Sequence, residues 1–134
     1  GKDERSTLNL CTPGTNVFLN GKLFTPHCVS SSSKTYHGDQ WVRAEIVVLG
    51  DSLVTHRLES KVVFKYTKPQ IGGGNVSNFD PAVKVDGKAL KEGYISLQSE
   101  SHPVEFRNVK LFNLAKYMND PTKLETKLQA ILQR

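Results

Sequence analysis

Two groups of residues combine types and spacing that could do chemistry. The first is Gln98, Glu100, Glu105 and Arg107, with His102 between them in Ser-Glu-Ser-His-Pro-Val-Glu-Phe. If Tyr94–Glu100 and Val104–Leu114 are strands, alternation turns Ile95 and Leu97 inward and Tyr94, Ser96, Gln98 and Glu100 outward. Val104 and Phe106 likewise leave Glu105 and Arg107 outward. Paired, these strands gather carboxylates, an amide and a guanidinium on one face, and Trp41, Arg43 and Glu45 of an earlier strand can join them. Such groups hold neighbouring sugar hydroxyls, while an aromatic plane covers the apolar side of the ring. A solvent-exposed sheet face with routine cross-strand ion pairs has the same pattern, and both readings stand. Pro103 forces His102 into an extended or turned conformation, where its ring could reach over the same face. The second group is His37-Gly38-Asp39-Gln40-Trp41. Gly38 lets the backbone turn beside a groove mouth, and an imidazole there can act as a base near neutral pH. A lone loop histidine is more often plain polar surface. His56, between Thr55 and Arg57, reads as an outward or half-buried packing residue, and His27 as a neighbour that packs on Cys28.

Two cysteines, Cys11 and Cys28, leave three readings open. One is a disulfide closing a modest loop, worth about 3 kcal/mol in the entropic account. Another is a pair of reduced thiols. The third is a metal site recruiting His27 and His37, although that spacing fits no standard zinc pattern. No hydrolase triad stands out. Gly72-Gly73-Gly74 is no phosphate loop, because the Lys-Ser/Thr ending and the following helix are missing.

The elements that must position these residues are mostly strands. Residues 7–12 alternate weakly and stop at Pro13-Gly14. Thr15–Leu19 and Lys22–Thr25 flank Asn20-Gly21, which predicts a hairpin with a type I′ turn. Ser30 to Ser33 is a loop. Trp41–Leu49 is the clearest strand, with Val42, Ala44, Ile46 and Val48 as its core face. Gly50-Asp51 turns into Leu53–Leu58, and Glu59-Ser60 joins that strand to Lys61–Tyr66, where Val62, Phe64 and Tyr66 share a face. Pro69 is expected to end it. Residues 71–87 form a surface loop of the kind that borders sites. A bulge near Asn108 would reconcile Val104 and Phe106 with Val109 and Leu111. Asp120-Pro121 then starts a short amphipathic helix carrying Leu124, Leu128, Ile131 and Leu132. Short strands with Asn-Gly, Gly-Asp and Pro-Gly turns spell an all-β sandwich or jelly roll. The expected interior is Val42, Ala44, Ile46, Val48, Val62, Phe64, Ile95, Leu97, Val104 and Phe106.

Size and charge narrow the function classes. The chain has 134 residues and a formal net charge of +5, which suits one domain, core 7–114, with a helical tail at 120–133. The basic residues are scattered and no aromatic–basic ladder recurs, so no nucleic-acid partner is expected. Mean hydropathy is -0.40, and no run is long enough for a membrane span. The first six residues lack the apolar stretch of a signal peptide.

The segments LNLCTPGTNV, NGKL, SSKTYHGDQWV and GKALKEGYISLQSESHPVEFRNVKLFNL together resemble the 3-keto-disaccharide hydrolase domain family, also labelled glycosyl hydrolase. GYISLQ and PVEFRNV are the most specific parts, and the resemblance covers residues 5–114. It implies a concanavalin A-like, or laminarinase-like, jelly roll of two antiparallel sheets. It also implies a periplasmic or secreted protein acting on a di- or oligosaccharide. The family domain is normally longer, so the chain looks like its C-terminal portion. A second copy or another chain completing the sandwich, or a missing piece, is therefore expected over a free monomer. Glu59-Ser60 stands where the family commonly has an Asn-Gly turn.

The resemblance implies His37, Glu100 and His102 as catalytic positions, with Gln98, Glu105 and Arg107 in support. The substrate would be a glycoside oxidised to a ketone at C3, cleaved by elimination and hydration. No cofactor is required, although a divalent metal could steady an enolate. The alternative is a non-catalytic carbohydrate-binding or structural module. A third reading is an interaction protein docking through Leu124, Leu128 and Leu132.

Overall fold

The computed structural model describes residues 3–74, 76–99 and 103–133. These group into two compact units, Gly1–Glu92 and Gly93–Arg134. The first unit holds seven strands: β1 (Leu10–Cys11), β2 (Thr15–Leu19), β3 (Lys22–Phe24), β4 (Cys28–Val29), β5 (Ala44–Leu49), β6 (Leu53–Leu58) and β7 (Lys61–Ile71). They make two antiparallel sheets, one of five strands in the order β3-β2-β7-β6-β5 and one pairing β1 with β4. The second unit carries a 3₁₀ turn (Ala115–Tyr117) and helix α1 (Pro121–Leu132). The fold is all-β with a short C-terminal helix, in keeping with a β-sandwich.

Local chemistry accounts for the turns. Asn20 and Gly21 both take positive φ, 50° and 77°, as a type I′ hairpin requires. Glu59 and Ser60 do the same at 47° and 65°, so β6 and β7 pair without the Asn-Gly that usually lowers the steric cost. Asp120 caps α1 by accepting from the Lys123 amide at 3.0 Å, and Pro121 fills the first helical position. Of the apolar stripe on α1, Leu124, Leu128, Ile131 and Leu132 are half-buried.

Strand β6 is the centre of the core. Val54 and Leu58 are buried, and so are the polar Thr55 and His56. Register places Ile46, His56 and Phe64 abreast, and Val48, Val54 and Tyr66 abreast two residues away. Residues two apart on a strand share a face, so this row is one apolar side of the sheet. The His56, Phe64 and Tyr66 rings cluster there, with centroids 5.6 to 6.2 Å apart. Burial raises the Tyr66 phenol above its ordinary value of 10.0.

Several expectations need correction. Ala44, Ile46 and Val48 do share the apolar face, but β5 is an edge strand and they are exposed, Ile46 to 59%. Val62 does not share a face with Phe64. The register shifts between His56 and Arg57, so Val62 lies opposite Arg57 and Phe64 opposite His56. Pro69 does not end its strand. β7 continues to Ile71 because the shift in its pairing with β2 absorbs the proline, and Lys68 there takes a φ of 48°. A proline cannot donate to a ladder and is tolerated at such bulges. Among the described residues of 93–114 no strand forms, and Ile95, Leu97, Val104 and Phe106 are exposed rather than interior. The bulge expected near Asn108 has no strand to interrupt, although Asn108 does take a positive φ of 56°.

Candidate functional site

His37 lines a cavity of about 530 Å³ with Glu4, Arg5, Ser6, Ser30, Ser33, Lys34 and Thr35. Two extended segments build its walls, and hydroxyl and amide side chains hold them together. Ser31 Oγ and Ser33 Oγ donate to the Thr7 carbonyl at 2.5 and 2.8 Å, and the Thr7 amide donates back to Ser33 Oγ at 2.6 Å. Asn9 Oδ1 accepts from Ser6 Oγ and from the Ser31 amide. The Arg5 amide donates to Thr35 Oγ1 at 2.8 Å. Ser31, Ser33 and Thr35 thus face Arg5, Thr7 and Asn9 at a period of two, as strands would. From sequence Ser30 to Ser33 reads as a loop, and four consecutive serines give no alternation that would announce this pairing.

This strap is tied to the large sheet at two points. His56 Nδ1 is 3.0 Å from the Leu8 carbonyl oxygen, and the Ser32 amide donates to the Val63 carbonyl at 3.0 Å. The second bond meets β7 at the residue its bulge leaves over. Beyond the strap, Gly38 turns with a φ of 71°, and Gln40 Nε2 donates to the His37 carbonyl. The His37 ring is exposed. The cavity therefore offers an imidazole, a carboxylate, a guanidinium and an ammonium on a hydroxyl-lined wall.

The other expected residues are distributed differently. Glu100 and His102 lie outside the described residues. Gln98, Glu105 and Arg107 belong to the second unit, where each is exposed and none is in a strand. Trp41 is half-exposed at 49%. Arg43 Nη2 meets Glu45 Oε1 at 2.5 Å, and Arg57 Nε meets Glu45 Oε2 at 3.2 Å. Arg43 and Glu45 are thus brought together in an ion-pair lattice with β6.

Another cavity, of about 480 Å³, lies under the 71–87 loop and is lined by Asn16, Thr25, Gly73, Gly74, Val76, Phe79, Lys84 and Asp86. Lys84 Nζ sits 4.9 Å from the Phe79 ring centroid and 2.6 Å from Asp86 Oδ1. From sequence this loop reads as one that borders a site, but none of these residues stands out as part of that site.

The cysteines settle on the first of their three readings. Cys11 and Cys28 form a disulfide across the β1–β4 pair. Among the described residues no helix is long and apolar enough to cross a membrane.

The model of the protein family described as 3-keto-alpha-glucoside-1,2-lyase-like domain matches residues 9–111. The chain belongs to that family, which associates it with sugar chemistry. No curated protein and no solved structure matches it.

Proposed function

We propose that the chain is a glycoside-cleaving domain acting on 3-keto-glycosides by elimination and hydration. The observation that carries this reading is the family match over residues 9–111. The His37 cavity supports it with suitable groups. A ketone at C3 acidifies the proton on C2, and a base that removes it leaves an enolate. The C1–O bond then breaks with loss of the aglycone, which takes up a proton, and water adds across the resulting double bond. In this scheme His37 takes the C2 proton, and the cationic Arg5 and Lys34 favour the enolate charge. Glu100 and His102 are the candidates for protonating the leaving oxygen.

The test is aglycone release from a chromogenic 3-keto-glucoside. Loss of a general base typically costs about 10²- to 10⁴-fold, so His37→Ala should lower turnover by that much. Glu100→Gln and His102→Ala should reduce it as well. Turnover that survives all three substitutions would place the chemistry elsewhere.

A non-catalytic sugar-binding module is the second reading. It is favoured by the cavity under the 71–87 loop, which Phe79 lines together with Thr25, Lys84 and Asp86, the Lys84 ammonium standing over the Phe79 ring. Saturable sugar binding without turnover, lost in Phe79→Ala, would favour that reading.

A further inference from the structure

Cys11, His27 and Cys28 form a compact set of thiophilic ligands. Their sulfur and ring-nitrogen atoms all lie within 4.8 Å of one another, and all three residues are exposed. The sugar chemistry proposed above uses none of them. The disulfide occupies the two sulfurs, and backbone pairing also holds the three residues together. Cys11 pairs with Cys28 and Leu10 with Val29 in the β1–β4 ladder. The Thr12 amide donates to the His27 carbonyl at 2.8 Å, fixing the backbone of the third ligand. Leu10 is buried at 8%, and the Ser31 amide anchors the far end of β4 to Asn9. His27 precedes the strand, so its ring is not confined to the alternation that sends neighbouring strand side chains to opposite faces.

We propose that the reduced protein binds Zn²⁺ through Cys11 Sγ, Cys28 Sγ and a ring nitrogen of His27, and that the disulfide is the metal-free form of the same site. Two thiolates and an imidazole are a ligand set that zinc accepts, with water completing the tetrahedron at an exposed position. Zn–S bonds of about 2.3 Å at tetrahedral angles put the sulfurs roughly 3.8 Å apart. Side-chain rotation reaches that separation across a strand pair that stays in register. Reduction by a thiol RSH moves two electrons: the S–S bond breaks, both cysteines become thiols, and two RSH leave as RSSR. Zinc then displaces one proton from each thiol, so two protons go to solvent per ion bound. The site would be open to metal in a reducing environment and closed in an oxidising one.

The experiment uses the whole chain, reduced with a phosphine that is then removed without air. Zn²⁺ is titrated by calorimetry in buffers of different ionisation enthalpy, with the oxidised protein alongside. We expect one ion per reduced chain, two protons released, and much weaker affinity for the oxidised form, which has no thiolate to offer. Losing even an outer-shell partner of a zinc ligand costs about 10- to 100-fold, so His27→Ala should cost the reduced protein at least about tenfold. Co²⁺ should give thiolate charge-transfer and tetrahedral bands that change in that variant. If the metal-free reduced chain loses its β-sheet circular dichroism, zinc should restore it. Equal affinity of the reduced and oxidised forms, an unchanged His27→Ala variant, or reduced chain that zinc fails to refold would each overturn the proposal.

Discussion

His56 Nδ1 stands 3.0 Å from the carbonyl oxygen of Leu8, a residue 48 positions away in the chain. A carbonyl only accepts, so the proton of this bond belongs to Nδ1. The bond joins β6, the most buried strand of the large sheet, to the strap that walls the His37 cavity. The same ring packs against Phe64 and Tyr66, so one buried side chain serves both the aromatic cluster and the strap.

Two substitutions separate those roles. His56→Phe keeps a ring in the cluster but leaves the part-buried Leu8 carbonyl without its donor, which should cost about 1–3 kcal/mol. His56→Ala loses the ring packing as well and should cost more, about 3–5 kcal/mol on the scale of buried aromatic truncations. Urea unfolding measures both. Hydrogen exchange at the Thr7 and Ser31 amides, which donate to Ser33 Oγ and Asn9 Oδ1, should speed up in His56→Phe, because the strap is released while the sheet persists. Unchanged protection there would mean that the serine and threonine bonds alone hold the strap.

How far the sequence could be read follows from which rules are local. Asn20-Gly21, Glu59-Ser60 and Asp120-Pro121 act within a few residues, and each turn and the helix start falls where they indicate. Parity also told correctly that Ala44, Ile46 and Val48 share a face, yet not that β5 lies at the sheet edge, because edge position is a property of strand order. The register shift beside Arg57 moved Val62 to the other face, and nothing in Lys-Val-Val-Phe announces it. His56, in a strand between Thr55 and Arg57, reads as an outward or half-buried packing residue. Its burial depends on an acceptor, Leu8, that only the folded chain supplies. For the site, His37 was legible from its Gly38 turn. Glu4, Arg5 and Lys34 were not, since the cavity forms only when two distant segments meet.

The glycine run after β7 has a steric cause that can be tested. A Cβ on Gly72 would lie 2.4 Å from Asn16 Nδ2 and 2.9 Å from its Cγ, and the Gly72 amide also donates to the Gly14 carbonyl at 3.1 Å. Asn16 Oδ1 is itself buried without a partner, and the Asn16 side chain must shift to admit a methyl group at this distance. Gly72→Ala should therefore destabilise by about 1–3 kcal/mol, the range for overpacking. Gly74, with open space around its Cα, is the control: Gly74→Ala should shift the urea midpoint far less. Equal effects at the two positions would argue against the clash.

Ser60 offers a gain in stability. It takes a φ of 65° in the two-residue turn between β6 and β7, a conformation that costs a residue with a Cβ about 1 kcal/mol. Its carbonyl accepts from Arg57 Nη2 at 2.7 Å, and a glycine keeps that acceptor. Ser60→Gly should raise the unfolding free energy by up to about 1 kcal/mol, less the added freedom of glycine in the unfolded chain. Glu59 is the wrong partner for the same change, because its Oε1 accepts from the Arg43 amide at 2.6 Å and that bond would be lost. Thermal unfolding that falls in Ser60→Gly would show that the turn is not strained.

The start of α1 should respond to acid. The backbone amide of Lys123 donates to the Asp120 carboxylate, and the Lys123 ammonium lies 2.9 Å from its other oxygen. Together they hold the carboxyl below its ordinary value of 3.8, the backbone bond contributing most. A carboxyl whose pKa is lower folded than unfolded binds its proton more readily in the unfolded state. Its stabilising effect is complete above the ordinary value and is lost as pH falls through the lowered one. Hydrogen exchange at the Lys123 amide, corrected for the intrinsic pH dependence of exchange, should therefore lose protection only at pH values under 3.8. Asp120→Asn retains a capping oxygen without the charge, so it should abolish this acid step while keeping most of the protection at neutral pH. An acid step that persists in Asp120→Asn would assign it to another carboxylate.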